Sequence, residues 1–285
     1  MVNGQINKKI NFKNKKVGFS EPTFVIAEIG INHNGDMKIA KELILKAKES
    51  GADAVKFQTY ITEKRVPKNH EVFDILKKCE ISFENQEKLF KYAENNDILS
   101  FSTPFDKESA LFLNSIDCPV FKIASFDTVN HNLLSCVSDL KRPIILSTGM
   151  TNISELNDAL KIIGSADLAL LHCVSSYPLD NFNADLNVIK TLISLNIGPV
   201  GYSDHSLGIE VPILAVACGA KIIEKHFTLN RKENGPDHAL SSDPKTLSNL
   251  VKEIRRVEKV LGNSELRIRD CEKNAESFRR YSEKN

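Results

Sequence analysis

The sequence predicts a (β/α)8 TIM barrel, and three features predict it. Short β-branched runs alternate with amphipathic stretches eight times over about 240 residues, the span of a typical closed barrel. The run cores (VIAEI, VKFQ, FKIA, IILST, ALLHC, IIEKHF) lack strict polar–apolar alternation, as strands buried on both faces do. The first run leads into Gly30-Ile31-Asn32-His33-Asn34-Gly35 rather than G-x-G-x-x-G, which counts against a doubly wound open sheet.

Taken in order, the strands are Thr23–Ile31, Ala54–Thr59, Leu99–Pro104, Val120–Ser125, Pro143–Thr148, Leu168–Val174, Pro199–Asp204 and Lys221–Phe227. The helix after the first is Met37–Ser50, where Ile39, Ala40, Leu43, Ile44 and Ala47 recur with helical spacing. Asn85–Asn96, Lys107–Ile116, Leu133–Leu140, Ser154–Ile163, Leu186–Leu195, Ile209–Cys218 and Leu247–Leu261 complete the set. Asp36 and Asp106 read as N-caps and Ser154 lies at a helix start, while Gly51, Gly164, Gly219 and Gly262 sit just past helix ends. Ile61–Ser82 is long for a β–α loop and reads as a lid or hairpin over one mouth. The domain reading is an N-terminal extension (1–19), a barrel (20–262) and a charged tail (263–285).

Composition narrows the function classes. The chain has 285 residues, 38 Lys+Arg against 37 Asp+Glu, 41% hydrophobic and 26% charged residues. That profile excludes disordered, collagen-like and coiled-coil chains. The net charge of +1 gives no reason to expect nucleic acid or a membrane surface as partner. The basic N-terminus has no apolar signal core after it, and the six cysteines form no C-x-x-C pair. The chain therefore reads as a cytoplasmic protein with reduced thiols.

Barrel enzymes work at the C-terminal ends of their strands. The polar residues predicted there are Glu28, Asn32, His33, Lys56, Gln58, Thr103, Lys122, Ser125, Asp127, Ser147, Thr148, His172, Ser175, Tyr177, Ser203, Asp204, His205, Glu224, His226, Asp237 and His238, beside the aromatic Phe105. Lys56 and Lys122 lie inside apolar strands, where a charge is costly unless paired or used. With Gln58, Thr103, Ser125 and Ser147 they read as an anion cradle, although a salt bridge to Glu28 would also account for them. His205 and His226 end neighbouring strands and suit a divalent metal with open positions. Glu28 and Asp127 are the carboxylates placed for proton transfer. His172 lies deeper and reads as structural. Three classes fit these residues: a metal-assisted lyase or synthase handling a phosphorylated anion such as phosphoenolpyruvate, a Schiff-base aldolase on Lys122 or Lys56, or a non-catalytic binding barrel.

Nine motifs in chain order then carry a resemblance: AEIGINHNG (27–35), VKFQT (55–59), STPF (102–105), FKIAS (121–125), LSTGM (146–150), His172-Cys173 with Ser176-Tyr177-Pro178, GYSDH (201–205), EKHFT (224–228) and GPDH (235–238). The chain resembles the sialic acid synthase family, the N-acetylneuraminate synthases and their bacterial nonulosonic relatives. The resemblance implies condensation of phosphoenolpyruvate with an N-acetylated aldose such as N-acetylmannosamine, with loss of phosphate. It implies a divalent metal, usually Mn2+ with Mg2+ or Co2+ possible, on His205 and His226. It implies that Lys56, Lys122, Ser125, Ser147, Thr103 and Gln58 hold the phosphate and carboxylate. Glu28, Tyr177, Phe105 and Asp237 would contact the sugar or the reacting centre, with Asp204 and Ser175 among the substrate contacts.

Two departures qualify the match. Asp127 stands where the family has glutamate, withdrawing the carboxyl by ~1.5 Å. Ser175 replaces an asparagine of many sialic acid synthases, which opens legionaminate-type and spore-coat sugar acceptors. The family usually continues into a C-terminal antifreeze-like domain that caps the partner's barrel; here Glu272–Tyr281 reads as the start of its linker. A homodimer, and an antifreeze-like domain supplied in trans, are therefore expected partners, and a barrel inactive without its cap is a further possibility.

Overall fold

A computed structural model describes residues 8–281. An antiparallel hairpin comes first, β1 (Ile10–Phe12) and β2 (Lys15–Val17). The barrel strands follow as β3 (Phe24–Gly30), β4 (Ala54–Thr59), β5 (Leu99–Pro104), β6 (Phe121–Ile123), β7 (Ile144–Ser147), β8 (Leu168–Cys173), β9 (Val200–Asp204) and β10 (Ile222–His226). These eight close into one parallel barrel, β10 pairing with β3. All eight predicted strands are present, trimmed by a residue or two where pairing ends. Their continuous apolar runs are buried from both sides, inside by the barrel and outside by helices.

The helices are α1 (Met37–Glu49), α2 (Thr62–Arg65), α3 (Phe73–Cys79), α4 (Phe83–Asn95), α5 (Lys107–Ser115), α6 (His131–Asp139), α7 (Ile153–Ile163), α8 (Val188–Ser194), α9 (Glu210–Ala217) and α10 (Pro244–Leu261). In α1 the buried face is Ala40, Leu43, Ile44 and Ala47, and Asp36 caps it by accepting from the Lys38 and Ile39 amides. Asp106 likewise accepts from the Ser109 amide. Three helices begin earlier than their apolar period suggested, because Ser82, Asn130 and Asp243 cap them. At α7 the cap is Asn152, in a reciprocal box with Glu155, rather than Ser154.

The segment 61–82 folds as two short helices, not a hairpin. Glu80 accepts from the Thr62 amide and hydroxyl (2.8 and 2.5 Å), and Tyr60 donates to the Leu76 carbonyl (2.9 Å). Ile31, Tyr60, Leu76 and Cys79 form a small core under this lid, with Val66, Val72 and Phe105 against it. The expected 1–19 extension is in part core: Ile10, Phe12 and Val17 are fully buried, and Phe12 meets Phe24 edge-to-face at 5.6 Å. The hairpin thus packs on the N-terminal end of the barrel. Residues 1–7 and 282–285 of the predicted extension and tail lie outside the described residues. Among the described residues no helix is long and apolar enough to cross a membrane.

Candidate active site

A cavity of about 790 Å3 opens at the C-terminal ends of the strands under the lid. Glu28, Lys56, Gln58, Thr103, Phe105, Lys122, Ser125, Asp127, Ser147, Tyr177, His205, His226 and Asp237 all line it. Of the residues given a catalytic, substrate-binding or metal role, Asp204 and Ser175 do not. Asp204 points to the outer side of the barrel wall, where Lys225 pairs with it and Ser206 donates through its amide (3.1 Å) and hydroxyl (2.7 Å). Its placement gives no support to substrate contact. Ser175 lies beside the cavity, its hydroxyl buried without a hydrogen-bond partner, at 2.7 Å from where a Cβ on Gly149 would stand. Asn32 and His33 also face away from the cavity, Asn32 donating to the Phe227 carbonyl and Ser241 (both 2.9 Å). Burial drops the His33 pKa to about 4, and its ring accepts from the Gly35 amide at 3.0 Å.

The floor is a cluster of four buried charges from β3, β4, β6 and β10. Lys56 Nζ lies 2.9 Å from Glu28 and 3.6 Å from Glu224, and donates to Thr103 Oγ1 at 3.1 Å. Lys122 Nζ lies 3.7 Å from Glu224 and donates to Ser147 Oγ at 2.7 Å. Strand register sets this grouping: Glu28 stands beside Lys56 on one side and His226 on the other. Glu224 also accepts from Ser203 Oγ (2.8 Å).

Electrostatics separate the four. Burial raises the Glu28 carboxyl to about 7, against the pull of Lys56 and with Glu224 adding to the rise. Burial opposes ionisation of Glu224 as well, but Lys122, Lys56 and Ser203 outweigh it and hold the group below the usual carboxylate range. The same contest leaves Lys56 above its ordinary value, because Glu224 and Glu28 overcome desolvation. Lys122 falls below its ordinary value through burial, with Lys56 reinforcing the fall.

At the rim, the rings of His205 and His226 are 5.7 Å apart, and Tyr177 stacks 4.1 Å from His205. Burial, His205 and Lys56 keep His226 well below its usual pKa, so its imidazole is neutral. The His226 Nδ1 is buried with no hydrogen-bond partner and lies 3.7 Å from Asp237. His205 Nδ1 is engaged by the Val174 carbonyl at 2.8 Å, which leaves its Nε2 for a ligand. Desolvation alone would lower His205, but Cys173 and the Val174 carbonyl raise it overall. An imidazole nitrogen buried without a partner, a second ring held by its other nitrogen and a nearby carboxylate are a donor set that suits a divalent cation. Among the described residues no three His, Cys, Asp or Glu side chains are already gathered as ligands.

Asp127 sits in a 3-10 turn at the rim, accepts from Asn130 (2.9 Å) and is raised by burial. His172 donates to or accepts from nothing in the cavity; its Nε2 bonds the Ala184 carbonyl at 2.8 Å. Glu224, Arg65 and Cys173 are among the lining residues given no role from the sequence. Glu224 had a signal, since it precedes His226 by two positions in one strand and must share its face. Arg65 had none, because nothing in 61–82 marks which side faces inward.

The NeuB family matches residues 43–266. The chain is 42% identical over 287 residues to the N,N'-diacetyllegionaminic acid synthase of Legionella pneumophila, covering 93% of this chain and 80% of that one. It is 34% identical to human N-acetylneuraminate-9-phosphate synthase, covering 90% and 76%. A crystal structure of a sialic acid synthetase from Leptospira borgpetersenii superposes with a TM-score of 0.92 at 40% identity, covering 95% and 96%. This chain, with its closed barrel, belongs to the NeuB family of sugar-acid synthases.

Proposed function

We propose that the protein is a cytoplasmic nonulosonic (sialic-type) acid synthase that condenses phosphoenolpyruvate with an N-acetylated aldose such as N-acetylmannosamine. The observation that carries this reading is the floor cluster: two lysines, bridged by one carboxylate, facing the two imidazoles of His205 and His226 across one cavity. C3 of phosphoenolpyruvate would bond to the aldehyde carbon, water would add at C2, and the C2–O bond would break to release phosphate. Lys56 and Lys122, with Thr103, Ser125, Ser147 and Gln58, would hold the phosphate and carboxylate, and their fixed field would stabilise charge on the departing group. Glu28, poised near neutrality, is suited to exchange a proton at the reacting centre, and Asp127 to take one from water. Phe105, Tyr177, Asp237 and Ser175 would meet the sugar. A divalent ion on His205 and His226, Mn2+ with Mg2+ or Co2+ as substitutes, would supply Lewis-acid polarisation of the aldehyde.

Relatives 42% and 37% identical are named N,N'-diacetyllegionaminic acid synthases, which favours a legionaminate-type acceptor as the second reading. The proposal includes a homodimer, or an antifreeze-like domain in trans, covering the mouth. The apolar side chains exposed in loops around it, Phe126 (60%), Met150 (61%) and Phe182 (96%), support a cover.

The test is incubation with phosphoenolpyruvate, Mn2+ and a panel of mono- and diacetamido hexoses, following phosphate and product mass together. The expected result is one phosphate per sugar acid formed. Phosphate release without a new C–C bond, or none with any acceptor, overturns the reading. His226→Ala should abolish Mn2+ binding and turnover while keeping the fold; retained Mn2+ affinity would remove the metal assignment.

A further inference from the structure

We propose that Arg65, carried by lid helix α2, is a positioning residue that fixes the Gln58 carboxamide with its NH2 toward Glu28. The inference rests on the reading of Glu28 as a group at the reacting centre.

A guanidinium has only donors. Arg65 Nη1 donates to Gln58 Oε1 at 3.0 Å, so the carbonyl end of that amide must face the lid. The amide NH2 end then faces inward, and it donates to Glu28 Oε1 at 3.3 Å. The other Glu28 oxygen lies 2.9 Å from Lys56. One continuous chain, Arg65–Gln58–Glu28–Lys56, thus runs from the lid to the floor of the cavity.

Two features show that this chain is built in. The guanidinium carbon lies over two aromatic rings set edge-to-face, 3.7 Å from the Phe105 centroid and 4.7 Å from that of Tyr60. Tyr60 is in turn tied to Leu76 of α3, so both lid helices hold Arg65 in place. At the other end, β3 shifts register between Glu28 and Gly30, and Gly30 has a φ of +54°. A Cβ there would stand 3.2 Å from Glu28 Oε1 and 3.3 Å from Gln58 Nε2. A side chain at 30 would crowd both groups and press them to give by a few tenths of an ångström. Without Arg65 the amide can turn whenever Glu28 is protonated and present its oxygen to that carboxyl. Seating of the lid therefore decides which end of Gln58 the reacting centre meets.

The test compares wild type with Arg65→Met, Arg65→Lys, Gln58→Ala and the Arg65→Met/Gln58→Ala double variant. Phosphate release is followed from phosphoenolpyruvate, Mn2+ and the acceptor that the panel identifies. Arg65→Met should lower kcat about 10- to 100-fold, the scale of a misplaced group at a reacting centre. KM for phosphoenolpyruvate should rise less than kcat falls, because of the groups that hold the anion only Gln58 is disturbed and the cations Lys56 and Lys122 are untouched. Arg65→Lys should recover part of the loss, and the double variant should be no slower than Gln58→Ala alone. Additive losses, or a raised KM at unchanged kcat, overturn the proposal. A second readout needs no turnover: the side-chain NH2 signal of 15N-labelled Gln58 should shift and exchange faster with solvent in Arg65→Met. An unmoved signal overturns the proposal. If wild type releases no phosphate with any acceptor, it is the synthase reading that fails, and the Gln58 signal alone then decides the role of Arg65.

Discussion

The wall between β9 and β10 carries buried charge on both sides, and the two sides are built differently. Outside, Lys225 and Asp204 are closed on each other: Lys225 also donates to the Ser206 carbonyl (2.8 Å), and Asp204 also accepts twice from Ser206. Inside, Glu224 is shared between Lys56 and Lys122 at 3.6 and 3.7 Å, and one of its oxygens has no hydrogen-bond partner. The outer charges are engaged with each other and with Ser206, whereas Glu224 stands wider than a closed pair from both inner lysines and faces a cavity. Buried charge that is fully matched serves the fold; buried charge left partly matched is available to a ligand.

The sharpest way to break this contrast is to remove one member of the outer pair. Lys225→Met leaves Asp204 buried without its partner and should cost about 3–5 kcal/mol of stability. Replacing both, Asp204→Leu with Lys225→Met, should recover the part of that loss due to the unpaired charge, leaving a residual cost of about 1–3 kcal/mol for the buried Ser206 amide, hydroxyl and carbonyl that lose their partners. Urea unfolding of the three proteins checks it. A single variant as stable as wild type would mean that the pair does not hold the wall.

Inside the cavity, the second effect is a pH dependence. The fold raises Glu28 from its ordinary 4.5 to about 7, which favours its protonated form. That contribution is complete below about pH 4.5 and is lost as pH rises through 7. Glu224 runs the other way: its contribution is present above its ordinary range and is lost as pH falls below it. Glu28→Gln keeps a neutral group at every pH, so it should gain on wild type between pH 5 and 9 by about 2–3 kcal/mol. Unfolding at three pH values measures the difference, and a constant difference would show that Glu28 does not titrate near neutrality.

The same two faces explain what was legible in the sequence. Most of the eight strands were readable because they carry short apolar runs without strict alternation, the signature of a doubly covered strand, while β5 (LSFSTP) and β9 (VGYSD) are interrupted by polar residues. Asp204 was misplaced for want of one parity argument: if His205 and His226 face inward, then Ser203 and Glu224 do too, and Asp204 and Lys225 must face out. That argument would also have given Glu224 a place beside His226 in the site rather than only at a strand end. The hairpin at 10–17 was hidden because three apolar residues, Ile10, Phe12 and Val17, are spread among lysines and asparagines. The lid helices were hidden because four- and seven-residue helices show too little of a period to distinguish from loop. The motif residues at the strand ends were found because their chemistry, not their periodicity, marks them.

The smallest effect on stability should be the one most damaging to ligand binding. Burial holds the Lys122 pKa below its ordinary value, so the fold does not stabilise its charge; it tolerates it. Lys122→Met removes that penalty and, in exchange, one of the two cations beside Glu224, while Lys56 remains at 3.6 Å and Ser203 still donates. The gain and the loss are of opposite sign, and unfolding free energy should move by no more than about 1 kcal/mol. Anion binding has no such compensation. Ser147 and the ammonium act together at 2.7 Å, and deleting the charge should weaken phosphoenolpyruvate binding by at least about tenfold, the scale of a charge-assisted contact of 1.5–3 kcal/mol. Calorimetric titration with phosphoenolpyruvate beside urea unfolding separates the two. A variant that unfolds readily yet still binds the anion would reverse the comparison and make the inner lysine a structural residue like Lys225.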